Sequence, residues 1–522
     1  MILSMSMTAF AAEAPKGTLT VNNTVAGKTL DLYQIFTATK NGDNVAYTLN
    51  SAYEGFFKNN TRIPGSESLT GEALSEKAYE YVKTQVGTDG KSGTGFAKEI
   101  LGWILENATT VATTHTTATT TDGSTVISGL EYGYYVVYPL GATDTSTAPG
   151  NETVKSVASL VSVTGEATVN MKSNYPTVVK KVNEKNADDV NIGDTVTYTL
   201  TSKVPDMTGY TSYVFNFKDT LSAGLTFKEI TSVKVGETTI TKVDVGQEAD
   251  NTYTLTQDGQ NITITMNNFL ASNKDKAGQE IKVTYTATLN KNAVTGFDAN
   301  KNSATVEYSN KPGTDNKGES EPSIVDVHTF NFTIFKYYLK DETKTGLANA
   351  EFELYKANEA GDAADTNAKI NIVKVKDGEY RQATPEEAAA EGFKSDVIVS
   401  GTDGKVLVKG LDAGTYYLRE TKAPEGYNKL LSDIKVVIKA DYDVKTGKLT
   451  SYSVDYTYNG KTTNGAAITN KTDSPEVAVE NKTGAQLPST GSKGALMVTL
   501  AGIVLFGVLT ASKAFGKKKA KN

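Results

Sequence analysis

The 522-residue sequence has no cysteine, so no disulfide can brace it and no thiolate can act as nucleophile or metal ligand. Its two histidines, His115 and His328, lie far apart in the sequence. A zinc site or a histidine-based catalytic triad is therefore not expected, and neither is a metal or a cofactor. There is no excess of positive charge: the net charge is −7, which points away from nucleic acid. Tryptophan occurs once and proline 12 times, whereas tyrosine occurs 27 times among abundant threonine and valine, a balance that favours strands. The acidic residues are scattered among turns, and no phosphate-cradling glycine loop is present. The chain reads as a non-enzyme. It is too long for one core, and three domains of about 150 residues are the natural division.

The tail is specific. Leu487-Pro488-Ser489-Thr490-Gly491 precedes an apolar run over 494–511, and the chain ends Lys517-Lys518-Lys519-Ala520-Lys521-Asn522. The run is just long enough to cross a hydrocarbon core of about 30 Å as a helix. The basic end belongs on the cytoplasmic side, so everything before the run is expected outside the cell. This arrangement resembles the cell-wall sorting signal of Gram-positive surface proteins. The resemblance implies that a sortase cuts between Thr490 and Gly491, holds the threonine carbonyl as a thioester and passes it to an amine, with Leu487 and Pro488 read in the enzyme groove. At the other end, Ala9-Phe10-Ala11 fits a signal-peptidase site; the basic n-region is missing, so a fuller signal peptide is expected upstream.

Between these ends the pattern is mostly strand. Leu30 to Phe36 alternates, and Tyr132 to Val137 reads as a core strand, whereas Thr70–Val86 and Phe96–Leu105 have helical apolar spacing. A small helical insertion in a β-rich first domain follows. The Thr-rich stretch from Thr109 to Thr121 reads as an exposed strand or loop. In the second segment, short strands over 195–200, 214–218, 262–266, 281–289 and 304–308 indicate a β-sandwich. Residues 311–318 fit a hairpin or a linker. The third segment starts near Phe330 and is expected to end at Asn470, with a flexible stalk from Thr472 to Gln486.

Two of these segments share a pattern: a lysine in the first strand, an asparagine in the last, and an acid between them. The sets are Lys180, Asp219 and Asn302, then Lys336, Glu420 and Asn470. Lysine is almost never fully buried without a partner, yet Lys336 sits between Phe335 and Tyr337. Burial lowers an ammonium pKa and raises a carboxyl pKa, so a neutral amine and a protonated acid become available together. Amine attack on the polarised asparagine carbonyl, with loss of ammonia, would leave a Lys–Asn isopeptide bond. A plain buried lysine–carboxylate pair fits the same spacing. Lys180 is assigned to the core and Lys181 to the opposite face; one residue of slip would exchange them. In the first domain, Lys28, Glu131 and Asn170 or Asn174 could form a similar set.

Further resemblance comes from Tyr416-Tyr417-Leu418-Arg419-Glu420-Thr421-Lys422-Ala423-Pro424-Glu425-Gly426-Tyr427, which is similar to the E-box of Gram-positive pilins. Residues 347–355 resemble the early strands of B-type collagen-adhesin domains, and 217–225 with 302–310 resemble the middle domain of fimbrial shaft subunits. The resemblance implies that Asp219 and Glu420 promote the two bonds autocatalytically. It also implies a pilin lysine near the end of the first domain. The family's lysine directly follows Tyr-Pro, but here Thr177 follows Tyr175-Pro176, which leaves Lys172 and then Lys181 as candidates.

The expectation is all-β: tandem Ig-like sandwiches of collagen-adhesin A and B type, then a transmembrane helix. Its divisions are a signal remnant (1–11), an N-terminal domain (12–172), a middle domain (173–325), a C-terminal domain (326–472), a stalk (473–486) and a sorting signal (487–522). The implied function is a secreted, wall-anchored pilus shaft subunit. Its implied partners are class C and housekeeping sortases, other copies of itself, minor pilins and peptidoglycan, with a host surface ligand open. The alternative is a singly anchored adhesin or minor pilin.

Overall fold

A computed structural model describes residues 15–87, 93–143, 156–171 and 174–484. The described residues fall into two compact units, one reaching Thr329 and including Asp441–Thr450, the other formed by Phe330–Ala440 and the described residues from Ser451 on. The first unit contains two β-rich assemblies. In the N-terminal one, Lys16–Thr24 lies between Gly123–Glu131 (antiparallel) and Glu166–Asn170 (parallel). This small sheet faces a larger one, in which Thr29–Asn41 pairs with Gly133–Pro139, Asn44–Leu49 and His115–Thr119. Alternation sorts the side chains. Tyr135 and Val137 face the small sheet, and Val136 and Tyr138 face the helices.

Those helices are Gly71–Val86 and Thr94–Glu106, close to the expected spans. Leu74, Ala78 and Val82 from the first, and Phe96, Ile100 and Ile104 from the second, form the buried stripes that helical periodicity requires. A bulge between Gln34 and Phe36 turns Ile35 and Phe36 onto this helical side.

The second assembly is a two-sheet sandwich. One sheet orders Thr238–Thr239, Leu225–Val235, Glu280–Leu289, Thr195–Lys203 and Val179–Val182. The other has Asn300–Ser309 and Phe215–Leu221 at its centre, with Ser323–His328 beside Asn300–Ser309. Residues 311–318 form the turn of a hairpin whose return strand, Lys317–Glu319, pairs with Asn300–Ser309. One apolar core joins the two sheets, with Tyr198, Phe217, Tyr285 and Val306 buried at its centre.

The second unit is also two sheets. One is built on Phe330–Lys340 and Lys405–Leu411, the other on Glu351–Ala357, Gly414–Lys422 and Ile434–Tyr442. Its last strand corrects the sequence reading. Glu476–Glu480 pairs in parallel with Phe330–Lys340, placing Val479 opposite Lys336 and Glu480 opposite Tyr337. This strand lies inside the stretch expected to be a stalk. Val477 and Val479 are buried while Glu476 is exposed, a period of two that holds the segment against the sheet.

Among the described residues no helix is long and apolar enough to cross a membrane. The apolar run over 494–511, the sorting residues Leu487, Pro488, Thr490 and Gly491, the signal segment and Lys172 lie outside the described residues.

Candidate functional site

Two buried centres stand out, one in each sandwich. In the middle domain, Val179–Val182 is an edge strand in which Lys180 and Val182 are buried and Val179 is exposed. Lys180 therefore points between the sheets. Across the core, Phe215–Leu221 and Asn300–Ser309 are neighbours with Leu221 opposite Asn302 and Asp219 opposite Ala304, so both polar side chains face inward.

The contacts converge on one hydroxyl. Lys180 Nζ donates to Asp219 Oδ2 in a short ion pair and to the Tyr285 hydroxyl at 2.8 Å. Tyr285 donates to the same Asp219 oxygen at 2.9 Å and accepts from Asn302 Nδ2 at 2.7 Å. The Tyr198 and Tyr285 rings stack at 5.1 Å and lie 4.9 and 5.1 Å from the ammonium. Asp219 Oδ1 and Asn302 Oδ1 are buried without a hydrogen-bond partner.

Burial drives the electrostatics. It pushes the Lys180 ammonium down to about 8, against the opposing pull of Asp219. It pushes the Asp219 carboxyl up, against Lys180 and Tyr285. Both directions favour a neutral amine beside a neutral acid. Sequence reasoning named Lys180, Asp219 and Asn302, and the structure brings all three together. It missed Tyr285.

In the C-terminal domain, Lys336 Nζ lies 3.1 Å from Glu420 Oε1, and both side chains are wholly buried. Desolvation again pushes the lysine down to about 8. Phe352 covers the ammonium at 5.8 Å. The other carboxylate oxygen, Glu420 Oε2, accepts from the Leu430 backbone N–H at 2.7 Å and from Asn481 Nδ2 at 3.3 Å. Asn481 Nδ2 also donates to the Asn428 carbonyl at 2.6 Å, and its backbone N–H donates to Tyr337 O at 2.9 Å. Its Oδ1 is buried and unpartnered.

Asn470, the asparagine expected here, is elsewhere. It is exposed, and its Oδ1 accepts from the Thr472 N–H at 2.9 Å and the Asp473 N–H at 3.1 Å. It shapes the turn before the last strand, as Asn does when its side chain replaces a backbone acceptor. Asn481 follows Glu480 in that strand's line and takes the place at the acid. The alternation Glu476-Val477-Ala478-Val479-Glu480 was the signal that could have found it.

Of the lysines proposed as acyl acceptors, Lys181 is half-buried on the opposite side of its strand from Lys180 and donates to Asn186 Oδ1. In the first domain no centre assembles from the expected residues. Lys28 lies over the Tyr175 ring at 5.0 Å, Glu131 pairs with Lys16 on the surface, and Asn170 accepts from Asn22 at 2.9 Å. Asn174 is exposed and its backbone bridges to Thr143.

An amine with a lowered pKa, an acid with access to its proton and a buried amide can form an amide and release ammonia. Each unpartnered buried polar atom costs about 1–3 kcal/mol. Joining the lysine to the asparagine replaces a titratable buried amine with a neutral amide, which has no charged form to desolvate.

Comparison with known proteins follows the same domains. Residues 192–312 match the family model of the Gram-positive pilin backbone subunit 2, Cna-B-like domain, and residues 333–451 match the SpaA prealbumin-like fold domain. A fimbrial subunit type 2 of Actinomyces naeslundii is 27% identical over 355 residues, covering 64% of this chain and 59% of that protein. The trypsin-resistant surface T6 protein of Streptococcus pyogenes serotype M6 is 25% identical over 370 residues, covering 62% and 59%. The chain thus spans about three fifths of the length of both relatives. Among solved structures, the T6 backbone pilin of serotype M6 Streptococcus pyogenes aligns with 91% of this chain and 100% of its own, at 16% identity and a TM-score of 0.46.

Proposed function

We propose that this chain, whose residues 192–312 match the family model of a Gram-positive pilin backbone subunit, is the shaft subunit of a covalent surface pilus. The observation that carries this reading is the pair of buried lysine–acid–asparagine centres in tandem sandwiches. Such centres serve a protein that must withstand pulling without disulfides.

In each centre the lysine amine attacks the asparagine Cγ, the C–N bond forms, and the Cγ–Nδ2 bond breaks to release ammonia. Asp219 and Glu420 hold and return the proton. The products are Lys180–Asn302 and Lys336–Asn481 isopeptide bonds. At the tail, a sortase cleaves after Thr490 and transfers its carbonyl to Lys172 or Lys181 of the next copy. The run over 494–511 holds the chain in the membrane until that transfer, and the last subunit passes to peptidoglycan. The protein catalyses nothing beyond its own crosslinking.

Peptide mass spectrometry of wall-extracted protein tests the shaft reading. Thr490 joined to Lys172 or Lys181 of a second copy is the expected product and identifies the acceptor. Thr490 joined only to peptidoglycan peptide would replace the shaft with a singly anchored adhesin.

A further inference from the structure

The two centres differ in how the acid reaches the amide. Glu420 Oε2 accepts from the Asn481 amide nitrogen itself, at 3.3 Å. In the middle domain the Asp219 oxygens hold no hydrogen bond to Asn302: Oδ2 is taken by Lys180 and Tyr285, and Oδ1 is unpartnered. The Tyr285 hydroxyl stands between them, 2.9 Å from Asp219 Oδ2 and 2.7 Å from Asn302 Nδ2.

We propose that Tyr285 is a catalytic residue of the middle-domain crosslink, a relay that hands the acid's proton to the departing amide nitrogen. This rests on the crosslinking function above. The neutral Lys180 amine adds to Asn302 Cγ, and the carbonyl π pair moves onto Oδ1. Nδ2, now an sp³ amine with a lone pair, takes the Tyr285 hydroxyl proton, and Tyr285 takes the proton of Asp219. The excess proton on Lys180 Nζ then passes to Asp219. The Oδ1 pair re-forms the carbonyl as the Cγ–Nδ2 bond breaks, and its electrons leave with ammonia. In net terms one proton moves from Lys180 to the leaving nitrogen, and Asp219 and Tyr285 end as they began.

The relay suits a tyrosine kept protonated. Tyr285 is buried beside Asp219, and both effects hold its hydroxyl well above the ordinary range. It transmits a proton without resting as a phenolate. The stacked Tyr198 supplies the comparison: it offers the same aromatic face to Lys180 and its hydroxyl lies near Asn302, but it has no hydrogen bond to Asp219 and so cannot link acid to amide.

The test follows ammonia loss in the full chain by intact mass and crosslinked-peptide analysis, with the C-terminal bond as internal reference for folding. Tyr285→Phe should retain the Lys336–Asn481 bond and form the Lys180–Asn302 bond about a hundredfold more slowly or not at all, the range for losing a positioned acid–base group. Tyr198→Phe should form both bonds at the wild-type rate. Equal rates in Tyr285→Phe and wild type would overturn the relay. Equal slowing in both Phe variants would also overturn it, since packing would then explain the loss. A wild type with no middle-domain bond would overturn the crosslinking function itself, an outcome distinct from either.

Discussion

Replacing Asn481 separates the two asparagines that the sequence and the structure favour. A bond from Lys336 to Asn481 closes a loop of about 145 residues (481 − 336). The chain-entropy relation assigns such a loop about 5 kcal/mol through restriction of the unfolded state. For a domain of this size, each kcal/mol moves Tm by about 2–4 °C, so losing the bond should lower the C-terminal transition by about 10–20 °C. Asn481→Ala in the full chain should therefore raise the intact mass relative to its bonded expectation by one ammonia. In calorimetry it should lower one transition and leave the other in place. Asn470→Ala removes only an exposed turn contact and should keep both bonds. The assignment fails if Asn481→Ala still loses two ammonias, or if Asn470→Ala loses one fewer.

The acids give a second check: Asp219→Ala should block only the middle bond and Glu420→Ala only the C-terminal one, each read as one retained ammonia. A third concerns pH in the uncrosslinked Asn302→Ala protein, where Lys180 keeps a folded pKa of about 8 against the ordinary 10.5 of an exposed lysine. The unfolded chain then binds more protons between those values, so stability rises with pH across that window. Denaturant unfolding should show Asn302→Ala gaining on Asn302→Ala/Lys180→Met from pH 8 to 10.5; a constant gap would contradict the burial argument. Under pulling, the 27 residues from Asn302 to Thr329 (329 − 302) lie outside the middle loop, so that domain should extend by at most about 90 Å. Force spectroscopy showing a whole-domain step in the wild type would exclude the middle crosslink.

Much of this was legible because strand periodicity fixes which residues share a face. Asp219 in Phe215–Leu221 and Asn302 in Asn300–Ser309 could be assigned inward from alternation, whereas Lys180 over Lys181 was a choice of register, since each face of Val179–Val182 carries one valine and one lysine. The first of the helices in the first domain showed through Ala78, Tyr81 and Val82; Ala73, read on the same face, is exposed, and Leu74 is buried in its stead. Tyr285 could not be found this way. In Ile281-Val283-Tyr285-Ala287-Leu289 it reads as one more core side chain, and only the three-dimensional convergence gives its hydroxyl partners. Asn481 was hidden for another reason. Its strand is five residues long and pairs in parallel with one that begins 146 positions earlier (476 − 330), a partner no local pattern indicates.

The positions of the two centres follow the path of tension through the proposed polymer. Force entering at Lys172 or Lys181 and leaving at Thr490 never crosses residues 15–171, and in that domain the expected lysine, acid and asparagines are spread among unrelated contacts. In the C-terminal domain the first and last strands are parallel neighbours, with Lys336 opposite Val479 and Asn481 two residues on. A bond there passes force from residue 336 to residue 481, and nearly the whole domain is relieved of it. The middle bond is less complete. Beyond Asn302 force must run through Asn300–Ser309 and return along Ser323–His328, held by the antiparallel ladder between them and a short parallel pairing with Ala187–Asp189, with no covalent tie. Those ladder bonds are loaded near the Asn300–Val327 end, where they open one after another. This hairpin is therefore the segment that yields first, lengthening the shaft while both covalent loops stay closed.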